Sequence, residues 1–521
     1  MISASATFML RTTCAKRSSR CSHVLTPRAA PRLRPVPADG DSSIDPDDLF
    51  AYLRVLARLD ELPVEHPDAV AVRRATARVF KTVKERRRAE RRAAIRVHDE
   101  AVTGATATGA AGRLDDETHG LPLVSPAGGA HAGELLRARG CYVCKTRYRR
   151  VDAFYHQLCP DCAARNRARR EARTDLTGRR ALLTGGRAKI GMYIALRLLR
   201  DGAETTITTR FPRDAARRFA AMKDSGEWLH RLRVVGIDLR DPGQVLTLAE
   251  SVIAAGPLDI LINNAAQTVQ RSAASYALLA EAEAEAEAAV LNPGLAPALV
   301  TLRAPGPVGA AAGIDDGYPS PNWAPTPQIL TELSLAARSA SPARVAAGSA
   351  IDAAGLIPDP DPINSWTKAV EQVDPVELLE VQLCNVTAPF ILIGRLRGAL
   401  AASPARRTYI VNVSAMEGQF TRGYKGSGHP HTNMAKAALN MLTRTSAQVL
   451  RTDGILMSSV DTGWITDERP LPTRLRLADT GFHAPLDLID GAARVYDPIV
   501  RGEAGEDLYG CFLKDYEPAP W

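Results

Sequence analysis

Four of the eight cysteines lie in two close pairs. Cys141 and Cys144 are separated by two residues, and so are Cys159 and Cys162, with 14 residues between the pairs. This spacing is typical of zinc knuckles and ribbons, in which two turns present four sulfur ligands tetrahedrally. Because thiols fill all four positions, we expect a structural rather than a catalytic zinc ion. A redox function would need only one of the pairs.

Basic and aromatic residues around this four-cysteine module allow a second interpretation. The basic ones are Lys145, Arg147, Arg149, Arg150, Arg165, Arg167 and Arg169. They can neutralise a zinc ion with four thiolates, whose net charge is about −2. They can also bind RNA, with aromatic residues available to stack on bases. Those aromatic residues are Tyr142, Tyr148, Phe154 and Tyr155.

A glycine-rich turn further along the chain could bind a phosphate group. The segment Thr184-Gly185-Gly186-Arg187-Ala188-Lys189-Ile190-Gly191 joins a predicted strand to an apolar predicted helix. Glycines in such a turn let the backbone approach a pyrophosphate, whose charge is stabilised by free N–H groups and by the helix N-terminus. The turn therefore predicts a nucleotide site.

Together with motifs further along the chain, this turn resembles that of the short-chain dehydrogenase/reductase family. Members carry a Thr-Gly-x-x-x-Gly-x-Gly turn, which Thr184, Gly185 and Gly191 match, with Lys189 in place of the middle glycine. The resemblance extends over residues 174–521 apart from an insertion, and it implies that the turn binds the pyrophosphate of a pyridine dinucleotide.

Three further segments resemble cofactor-contacting motifs of the family. Asp238-Leu239, at the end of the third predicted strand, matches the aspartate that contacts the adenine. Asn263-Asn264-Ala265-Ala266 matches an Asn-Asn-Ala-Gly segment, with alanine for the glycine. Val460-Asp461-Thr462-Gly463-Trp464 resembles the Pro-Gly turn that contacts the nicotinamide amide. This last resemblance implies that Trp464 and the segment up to Pro472 line a substrate pocket.

The charge after the second predicted strand indicates which dinucleotide binds. An acidic residue there pairs with the ribose of NAD, whereas an arginine accommodates the 2′-phosphate of NADP. Arg210 ends this strand, and no acid stands beside it. We therefore expect NADP(H), with NAD as the less favoured cofactor and a merely solvated Arg210 as the alternative.

The catalytic residues of the family are matched in part. By resemblance, Asn385 organises a proton-relay water, Ser414 holds the substrate carbonyl, and Lys436 binds the nicotinamide ribose and lowers the pKa of a catalytic tyrosine. Thr432 replaces that tyrosine. A lysine can bring the pKa of a phenol from about 10 to about 7, whereas an aliphatic hydroxyl starts near ~16 and stays inert. Thr432 can bind a substrate oxygen but cannot be the acid or base.

Three neighbouring side chains are alternative proton donors. His431 has a suitable pKa of about 6.5 in peptides, but it lies ~100° round a helix from Thr432 and reaches the site only if the helix begins late. Tyr424, in the loop after Ser414, approaches from another direction, and His429 is a third candidate. For each of them the alternative is an ordinary loop residue.

The elements that must position these residues form an alternating pattern. From residue 179, β-branched segments alternate with helical patterns, and the segments are 181–184, 205–209, 233–239, 259–263, 408–414, 455–460 and 509–513. Such alternation is typical of a parallel sheet covered by helices on both faces. We predict an α/β fold with a Rossmann-type doubly wound parallel sheet. An insertion at about 271–374, without a strand pattern, either lies over the rim of the active site or is disordered.

Composition divides the 521-residue chain into four predicted regions. They are a basic leader or disordered tail (1–38), a helical region and linker (39–135), the zinc-ribbon-like module (136–173) and the Rossmann domain (174–521). Helices are predicted from Asp45 and from about Pro67, and the arginine-rich stretch 81–96 is predicted to be a solvated helix face. A Gly/Ala/Thr-rich linker is expected at 103–112.

The net charge of +8 is unevenly distributed along the chain. Residues 1–38 and 81–96 together carry +13, so the remainder carries −5 and is not expected to bind a polyanion. A basic leader without acids is typical of plastid or mitochondrial transit peptides; otherwise we expect a cytoplasmic location. No uninterrupted apolar run approaches the ~18 residues of a membrane span, so no membrane partner is expected.

Three functions are consistent with these features. The leading hypothesis is an NADP-dependent oxidoreductase acting on a small carbonyl or alcohol substrate, with homo-oligomerisation as an option. The second is a dinucleotide-binding sensor or scaffold that has lost turnover. The third is an RNA-binding protein that uses the zinc module and its arginines, although nucleic acid is not the expected partner.

Overall fold

The computed structural model describes residues 44–111, 113, 123–284, 298–301, 326–335, 342–423, 425–466 and 468–521. The chain falls into two compact units, and the boundary between them lies at residues 88 and 89. The division into four regions predicted above is finer and stays a prediction. Residues 1–38 and Tyr424 lie outside the described residues, and so do their predicted roles.

The first unit is built from helices. Helix α1 (Pro46–Arg58) begins after Asp45, whose carboxylate accepts a hydrogen bond from the N–H of Asp47. Helix α2 (Pro67–Gly104) starts in this unit and continues into the second. The side chains of residues 81–96 are almost all exposed, which confirms that this stretch is a solvated helix.

The second unit opens with a small module. Its elements are the antiparallel strands β1 (His131–Gly140) and β2 (Arg147–Asp152) and helix α3 (Pro160–Glu171). The segment expected to be a linker at 103–112 packs onto this module over its described part. Thr108 donates hydrogen bonds to the Phe154 carbonyl through both its N–H and its hydroxyl. The linker prediction is therefore wrong there, because threonine side chains tie the segment to the hairpin backbone.

In the described part of the chain, nine strands form the central sheet. They are β3 (Arg180–Leu183), β4 (Glu204–Thr209), β5 (Leu232–Gly236), β6 (Ile260–Asn263), β7 (Ala298–Thr301), β8 (Thr408–Ser414), β9 (Ile455–Asp461), β10 (Phe512–Lys514) and β11 (Glu517–Ala519). Their order is β11-β10-β9-β8-β6-β3-β4-β5-β7, and every pair is parallel except β10 with β11. The predicted α/β fold with a mostly parallel doubly wound sheet is confirmed.

Helices cover both faces of this sheet. They are α4 (Lys189–Arg200), α5 (Pro212–Ala220), α6 (Ser225–Trp228), α7 (Pro242–Ala254), α8 (Ala277–Ala284), α9 (Pro327–Leu335), α10 (Pro342–Ala346), α11 (Pro375–Gln382), α12 (Ala388–Ala401), α13 (Pro430–Arg451), α14 (Leu471–Asp479) and α15 (Leu488–Glu503). Apolar side chains of α4 and α15 form one core, and those of α7 and α12 form another. The carboxyl ends of the strands between these two layers are where such folds bind ligands.

One helical stretch is long and apolar enough to cross a membrane by length and composition. It is Pro375–Ala401, with a mean hydropathy of 1.5, and it contains α11, a π-helical turn at Leu383–Thr387 and α12. Leu392, Leu396 and Leu400 of α12 are buried in the core that α12 shares with α7. This packing accounts for the apolar character of α12 inside the folded unit.

The insertion at about 271–374 contains more regular structure than the sequence suggests. Strand β7 extends the sheet beside β5, so the expectation of no strand is wrong. Its four residues are too few to show a readable period. Leu279 of α8 and Leu330 of α9 are buried with Phe211 in a third apolar core. Residues 285–297, 302–325 and 336–341 lie outside the described residues.

Candidate functional site

The glycine turn lies between β3 and α4, at the carboxyl edge of the sheet. Gly185 has a φ of 70°, and a Cβ on Gly191 would lie 2.0 Å from the carbonyl oxygen of Gly185. Lys189 stands where the family has its middle glycine and keeps a left-handed backbone, with a φ of 51°. Since side chains at these glycines would fill the turn, the backbone is open to the close approach that a pyrophosphate requires.

Thr184 and Asn264 fix the turn against strand β6. The Thr184 hydroxyl oxygen accepts hydrogen bonds from the N–H groups of Asn264 and Ala265, each at 3.0 Å. The Asn264 side-chain amide donates to the carbonyls of Thr184 and Gly185, each at 3.1 Å. Thr184 and Asn264, both predicted to belong to the cofactor site, therefore hold the turn in place through these hydrogen bonds.

A cleft of about 390 Å³ lies over the turn. It is lined by eleven of the residues predicted to bind the cofactor, namely Gly185, Arg187, Lys189, Ile190, Gly191, Arg210, Asp238, Leu239, Asn264, Ala265 and Ala266. The other predicted residues support the turn or lie near the catalytic end, outside this lining, and they are Thr184, Gly186, Lys436, Thr462 and Gly463. Most of the residues that the sequence analysis assigned to the cofactor therefore line one cleft over the glycine turn.

Two arginines and a tyrosine shape one end of the cleft. Arg210 donates to the Tyr276 hydroxyl at 3.2 Å, and its guanidinium lies 5.0 Å from the centre of that ring. Arg240 pairs with Asp238 at 2.7 Å and with Glu380 at 2.5 Å. The sequence analysis missed Arg240, although it follows Asp238 by two residues, and it missed Tyr276 because the insertion has no readable pattern.

Arg187 of the turn is part of a buried charge network that holds the insertion. It donates to Asp214 at 2.6 Å and to the Ala354 carbonyl at 2.8 Å. Arg218 donates to the same carboxylate at 2.6 Å and to the Ala353 carbonyl at 2.8 Å. Burial acts to raise the pKa of Asp214, but the two arginines outweigh it and hold the pKa below its usual value. The segment around Ala354 therefore forms a fixed wall of the cleft.

The residues predicted to be catalytic, Ser414, Thr432 and Lys436, are positioned by β8 and the first turns of α13. Lys436 is buried, and its ammonium donates to the Val413 carbonyl at 2.8 Å, directly before Ser414. Thr432 lies one turn before Lys436 on the same side of α13. Among the described residues, neither the Ser414 hydroxyl nor the Thr432 hydroxyl has a hydrogen-bond partner, although both are buried. A bound water or ligand would satisfy such buried hydroxyls.

Asn385 lies on the π-helical turn before α12. Its side chain accepts a hydrogen bond from the Gln267 N–H at 2.7 Å and donates to the Gln267 carbonyl at 3.0 Å. Gln267 lines the cleft. Single π turns are frequent at functional sites, and here the turn fixes the loop after β6.

The two candidate histidines are engaged away from Ser414. Helix α13 begins at Pro430, and the His431 ring lies 3.4 Å from the Glu377 carboxylate. Burial acts to raise the pKa of Glu377, but His431 and Lys368 outweigh it and hold the pKa at about 2. His429 stacks on Trp366, with ring centres 4.0 Å apart, and its Nδ1 lies 2.8 Å from the Trp366 carbonyl oxygen.

Comparison with known proteins shows a family similarity over part of the chain. The sequence profile described as short chain dehydrogenase matches residues 179–290. Over these residues the chain is similar to short-chain dehydrogenases. An uncharacterized protein of Acanthamoeba polyphaga mimivirus is 31% identical over 378 residues, which are 69% of this chain and 71% of that protein.

Other similar proteins match shorter or more distant parts. A probable oxidoreductase of Streptomyces antibioticus is 40% identical over 94 residues, 18% of this chain and only 30% of that protein. A solved structure of NADPH-bound carbonyl reductase from chicken fatty liver is 16% identical, with a TM-score of 0.39, and the match covers 67% of this chain and 100% of that one.

A buried polar network links the central strands of the sheet and was not foreseen. The Asn263 side chain donates to Asn412 at 2.8 Å, and Asn412 donates to Thr443 at 2.9 Å. The hydroxyls of Thr443 and Ser459 lie 2.7 Å apart. These bonds link β6, β8, α13 and β9. In the sequence, the network was indicated only by one asparagine in each of two strand patterns, Asn263 in β6 and Asn412 in β8.

The four cysteines lie at one place beside the dehydrogenase domain. Their sulfur atoms all lie within 4.8 Å of one another, and those of Cys144 and Cys159 are 3.7 Å apart. A tetrahedral zinc ion with bonds of about 2.3 Å places its sulfurs about 3.8 Å apart, so the four residues fit zinc. Zinc with four thiolate ligands would stabilise the turns of the module and leave no position for a substrate.

The module contacts the segment that follows β9. The Tyr142 hydroxyl, between two cysteines, accepts a hydrogen bond from the Trp464 N–H at 2.9 Å. A Cβ on Gly463 would lie 3.6 Å from the same hydroxyl, and Gly463 has a φ of 77°. Trp464 itself is partly exposed and lies against Phe482, while Thr466 and Glu468 of this segment line the cleft.

The aromatic residues expected to stack on RNA bases are not available for it. Tyr148 and Tyr155 are buried, and their hydroxyls donate to the His156 carbonyl and to Asp490. Phe154 is covered by the guanidinium of Arg170, 4.7 Å from the ring centre. The stacking prediction is therefore wrong for these three residues, because Tyr155 bonds to Asp490 while Tyr148 and Phe154 are engaged within the module.

Proposed function

We propose that the protein is an NADP(H)-dependent oxidoreductase that interconverts a small carbonyl compound and the corresponding alcohol. The observation that carries the proposal is a pair of buried hydroxyls, Ser414 and Thr432, that have no partner among the described residues. The buried ammonium of Lys436, one helical turn after Thr432, is bonded to the carbonyl directly before Ser414. Consumption of NADPH with a panel of aldehydes and ketones tests it. Binding of NADPH without consumption would favour a sensor instead.

The cleft fits a phosphorylated dinucleotide. The turn from Gly185 to Gly191 would hold the pyrophosphate, with Lys189 adding positive charge, and Arg210 and Arg240 would hold a 2′-phosphate. NADP(H), when bound, supplies or accepts the hydride. Several similar solved structures are named as complexes with NADP or NADPH, in keeping with this choice.

Substitution of Arg210 tests the cofactor preference. Arg210→Ala is expected to weaken NADPH binding about 10- to 100-fold and to leave NADH binding nearly unchanged, because a hydrogen bond to a charged group is worth about 1.5–3 kcal/mol. Nucleotide fluorescence titration measures both affinities. Arg233→Ala is the matched control, because Arg233 lies outside the cleft lining and its side chain bonds to Ser251. Equal losses for NADPH and NADH would contradict the assignment.

The two hydroxyls would bind the substrate oxygen. Ser414 ends β8, and Thr432 faces the same end of that strand through its position one turn before Lys436. A carbonyl oxygen accepting from both would satisfy two donors that otherwise cost free energy when buried. The same bonds stabilise the negative charge that develops on that oxygen during hydride transfer.

Lys436 is the group that can supply the proton. Burial lowers the pKa of Lys436 to about 8, although nearby Cys384 and Glu417 act to raise it. In carbonyl reduction, a hydride supplied by the bound cofactor would add to the carbonyl carbon, the C=O π pair would move to oxygen, and the oxygen would take a proton from the Lys436 ammonium. Lys436 would be left as a neutral amine and would be reprotonated from solvent. Thr432 would bind the substrate oxygen but would not supply the proton.

This role predicts a specific pH dependence. Below pH 8 the Lys436 ammonium is protonated, so carbonyl reduction is expected to be fastest there and to decline as pH rises through about 8. Alcohol oxidation needs the neutral amine and is expected to rise over the same range. Initial rates at saturating cofactor, measured in both directions from pH 6 to about pH 10, give the two profiles. Parallel profiles would exclude Lys436 as the group that titrates.

The zinc module would act as a structural support for this site. Tyr142 holds the backbone after β9, and Tyr155 and Arg170 bond to Asp490 and Asp487 at the start of α15. The family resemblance assigns this part of the chain to the nicotinamide and substrate side. A rigid module would therefore keep the segment from Gly463 to Asp490 in place.

A further inference from the structure

A second cavity lies apart from the dehydrogenase cleft, between α2 and the β1–β2 hairpin. Its volume is about 890 Å³. One wall is α2 from Ala89 to Asp99, and the other is formed by residues 137–140 and Arg147, all within the second unit. The proposed oxidoreductase function does not use this cavity, which we call the arginine groove.

Arginines dominate the polar lining of the groove. They are Arg92, Arg96, Arg137, Arg139 and Arg147. Asp99 is the one carboxylate among the described lining residues, and it is buried. Its oxygens accept hydrogen bonds from the N–H groups of Leu136 and Arg137, at 2.7 and 3.3 Å. The Asp99 carboxylate is therefore engaged by backbone N–H groups of β1, and the net charge of the groove lining remains strongly positive.

Most of these guanidinium groups have no anionic partner. Among the described residues, Arg92, Arg137 and Arg139 have no carboxylate within ion-pair distance. Arg96 lies 3.8 Å from the exposed Glu100, a type of contact that contributes little. Clustered like charges repel one another, so an anion in the groove would be stabilised by all five arginines.

The groove is fixed by a defined backbone irregularity. The pairing of β1 with β2 shifts register between Glu134 and Arg139, and bulges of this kind redirect side chains. Asp99 binds the backbone within that shift, and His98 lies 3.0 Å from the Glu134 carbonyl. The helix thus anchors the bulge that directs Arg137 and Arg139 into the groove.

We infer that the arginine groove binds the phosphodiester backbone of a nucleic acid. Guanidinium groups bind phosphate oxygens in pairs, and Arg92 and Arg96 are about 6 Å apart along α2. The described lining contains no aromatic side chain for base stacking, so binding is through the backbone, independent of sequence and weakened by salt.

The rest of the lining distinguishes this ligand from an acidic protein segment. It consists of small or aliphatic residues, namely Ala89, Ala93, Ile95, Ala138 and Gly140. A peptide needs pockets for anchoring side chains, whereas a phosphate chain needs positive charge along its path. The site differs from the one that the sequence suggested for RNA, because it excludes the buried aromatic residues of the zinc module.

Oligonucleotide binding to the full chain tests the inference. The probes are fluorescent 20-nucleotide oligouridine and oligodeoxyuridine, followed by anisotropy at about 50 to 200 mM salt. Arg137→Ala/Arg139→Ala is expected to weaken binding at least about tenfold and to reduce the slope of log Kd against log salt by about 1.4, or 0.7 for each phosphate contact. Stronger binding of one probe identifies the sugar that is preferred.

The matched control removes the same charge elsewhere. Arg395→Ala/Arg444→Ala takes away two exposed arginines on α12 and α13 and is expected to leave binding and slope unchanged. Both variants lose the same amount of positive charge, so a difference between them reports the position of that charge. Zinc content and NADPH affinity, unchanged in both, establish that the fold is intact and separate this test from the oxidoreductase proposal. Equal losses in both double variants, or stronger competition by polyglutamate than by the oligonucleotide, would overturn the inference.

Discussion

Replacement of Lys436 by methionine is expected to lower kcat for carbonyl reduction by about 10²- to 10⁴-fold, the usual contribution of a general acid. The Lys436 ammonium is held at the Val413 carbonyl, directly before Ser414, and Thr432 lies one turn before Lys436 on α13. The adenine end of the cleft lies on other elements, so NADPH affinity should change far less than kcat. Rapid-mixing measurement of hydride transfer, combined with NADPH titration, separates the two effects.

Two further variants show whether proton transfer is the cause. Lys436→Arg keeps a positive charge but cannot release a proton at accessible pH, so kcat should stay low and the pH dependence near 8 should disappear. Lys223→Met removes an exposed lysine outside the cleft and should behave as the unmodified protein. Full activity of Lys436→Arg would assign the proton to another group and leave Lys436 a role in binding alone.

The sequence contained enough information to predict the sheet and the turn. Strand β8 has the predicted bounds of 408–414, because its β-branched residues are typical of a strand. The turn was readable because Gly185 and Gly191 are needed for backbone reasons that act locally. The left-handed backbone of Lys189 could not be predicted, because the residue type lysine gives no indication of it.

Features that depend on contacts between distant segments could not be predicted. Tyr276 and Ala354 reach the cleft from an insertion with no periodicity, through bonds to Arg210 and Arg187. Tyr142 looked like an exposed stacking residue, yet it pairs with a backbone N–H more than 300 positions away. Such pairings depend on the whole fold, and the residues next to them in the sequence do not indicate them.

The partners of His431 and Lys436 show why a catalytic role was hard to assign. Sequence proximity suggested His431 as a proton donor beside Thr432, but in the structure the His431 ring lies against the Glu377 carboxylate of α11. Lys436 was predicted to bind ribose and to assist a tyrosine. Its burial, which lowers its pKa to about 8, is a property of the packing of β8 against α13.

Loss of the zinc ligands is expected to have the second large effect. Cys159→Ser should abolish stoichiometric zinc and lower the melting temperature by roughly 10 °C, because zinc binding to four thiolates is worth on the order of 10 kcal/mol. The module contributes buried side chains to the same core as α4 and α15. Its loosening should therefore destabilise the dehydrogenase domain as well as the hairpin. Metal analysis and calorimetry measure the two quantities.

The effect should spread along a defined route. Gln157 donates to the His483 carbonyl at 3.3 Å, Tyr155 donates to Asp490 at 2.7 Å, and Arg170 pairs with Asp487 at 2.5 Å. Without a fixed module these bonds are lost together, so amide exchange should accelerate in residues 462–490 while the β3–α4 turn stays protected. KM for the carbonyl substrate should rise more than Kd for NADPH.

Cys511→Ser is the matched control, because Cys511 lies outside the four-cysteine cluster and is half-buried. It should retain zinc, stability and slow exchange. Tyr142→Phe, which removes only the bond to the Trp464 N–H, should keep zinc and reproduce the faster exchange near Trp464 in part. If Cys159→Ser loses zinc yet residues 462–490 exchange as slowly as before, the module stabilises only itself, and the segment after β9 is held by the dehydrogenase domain alone.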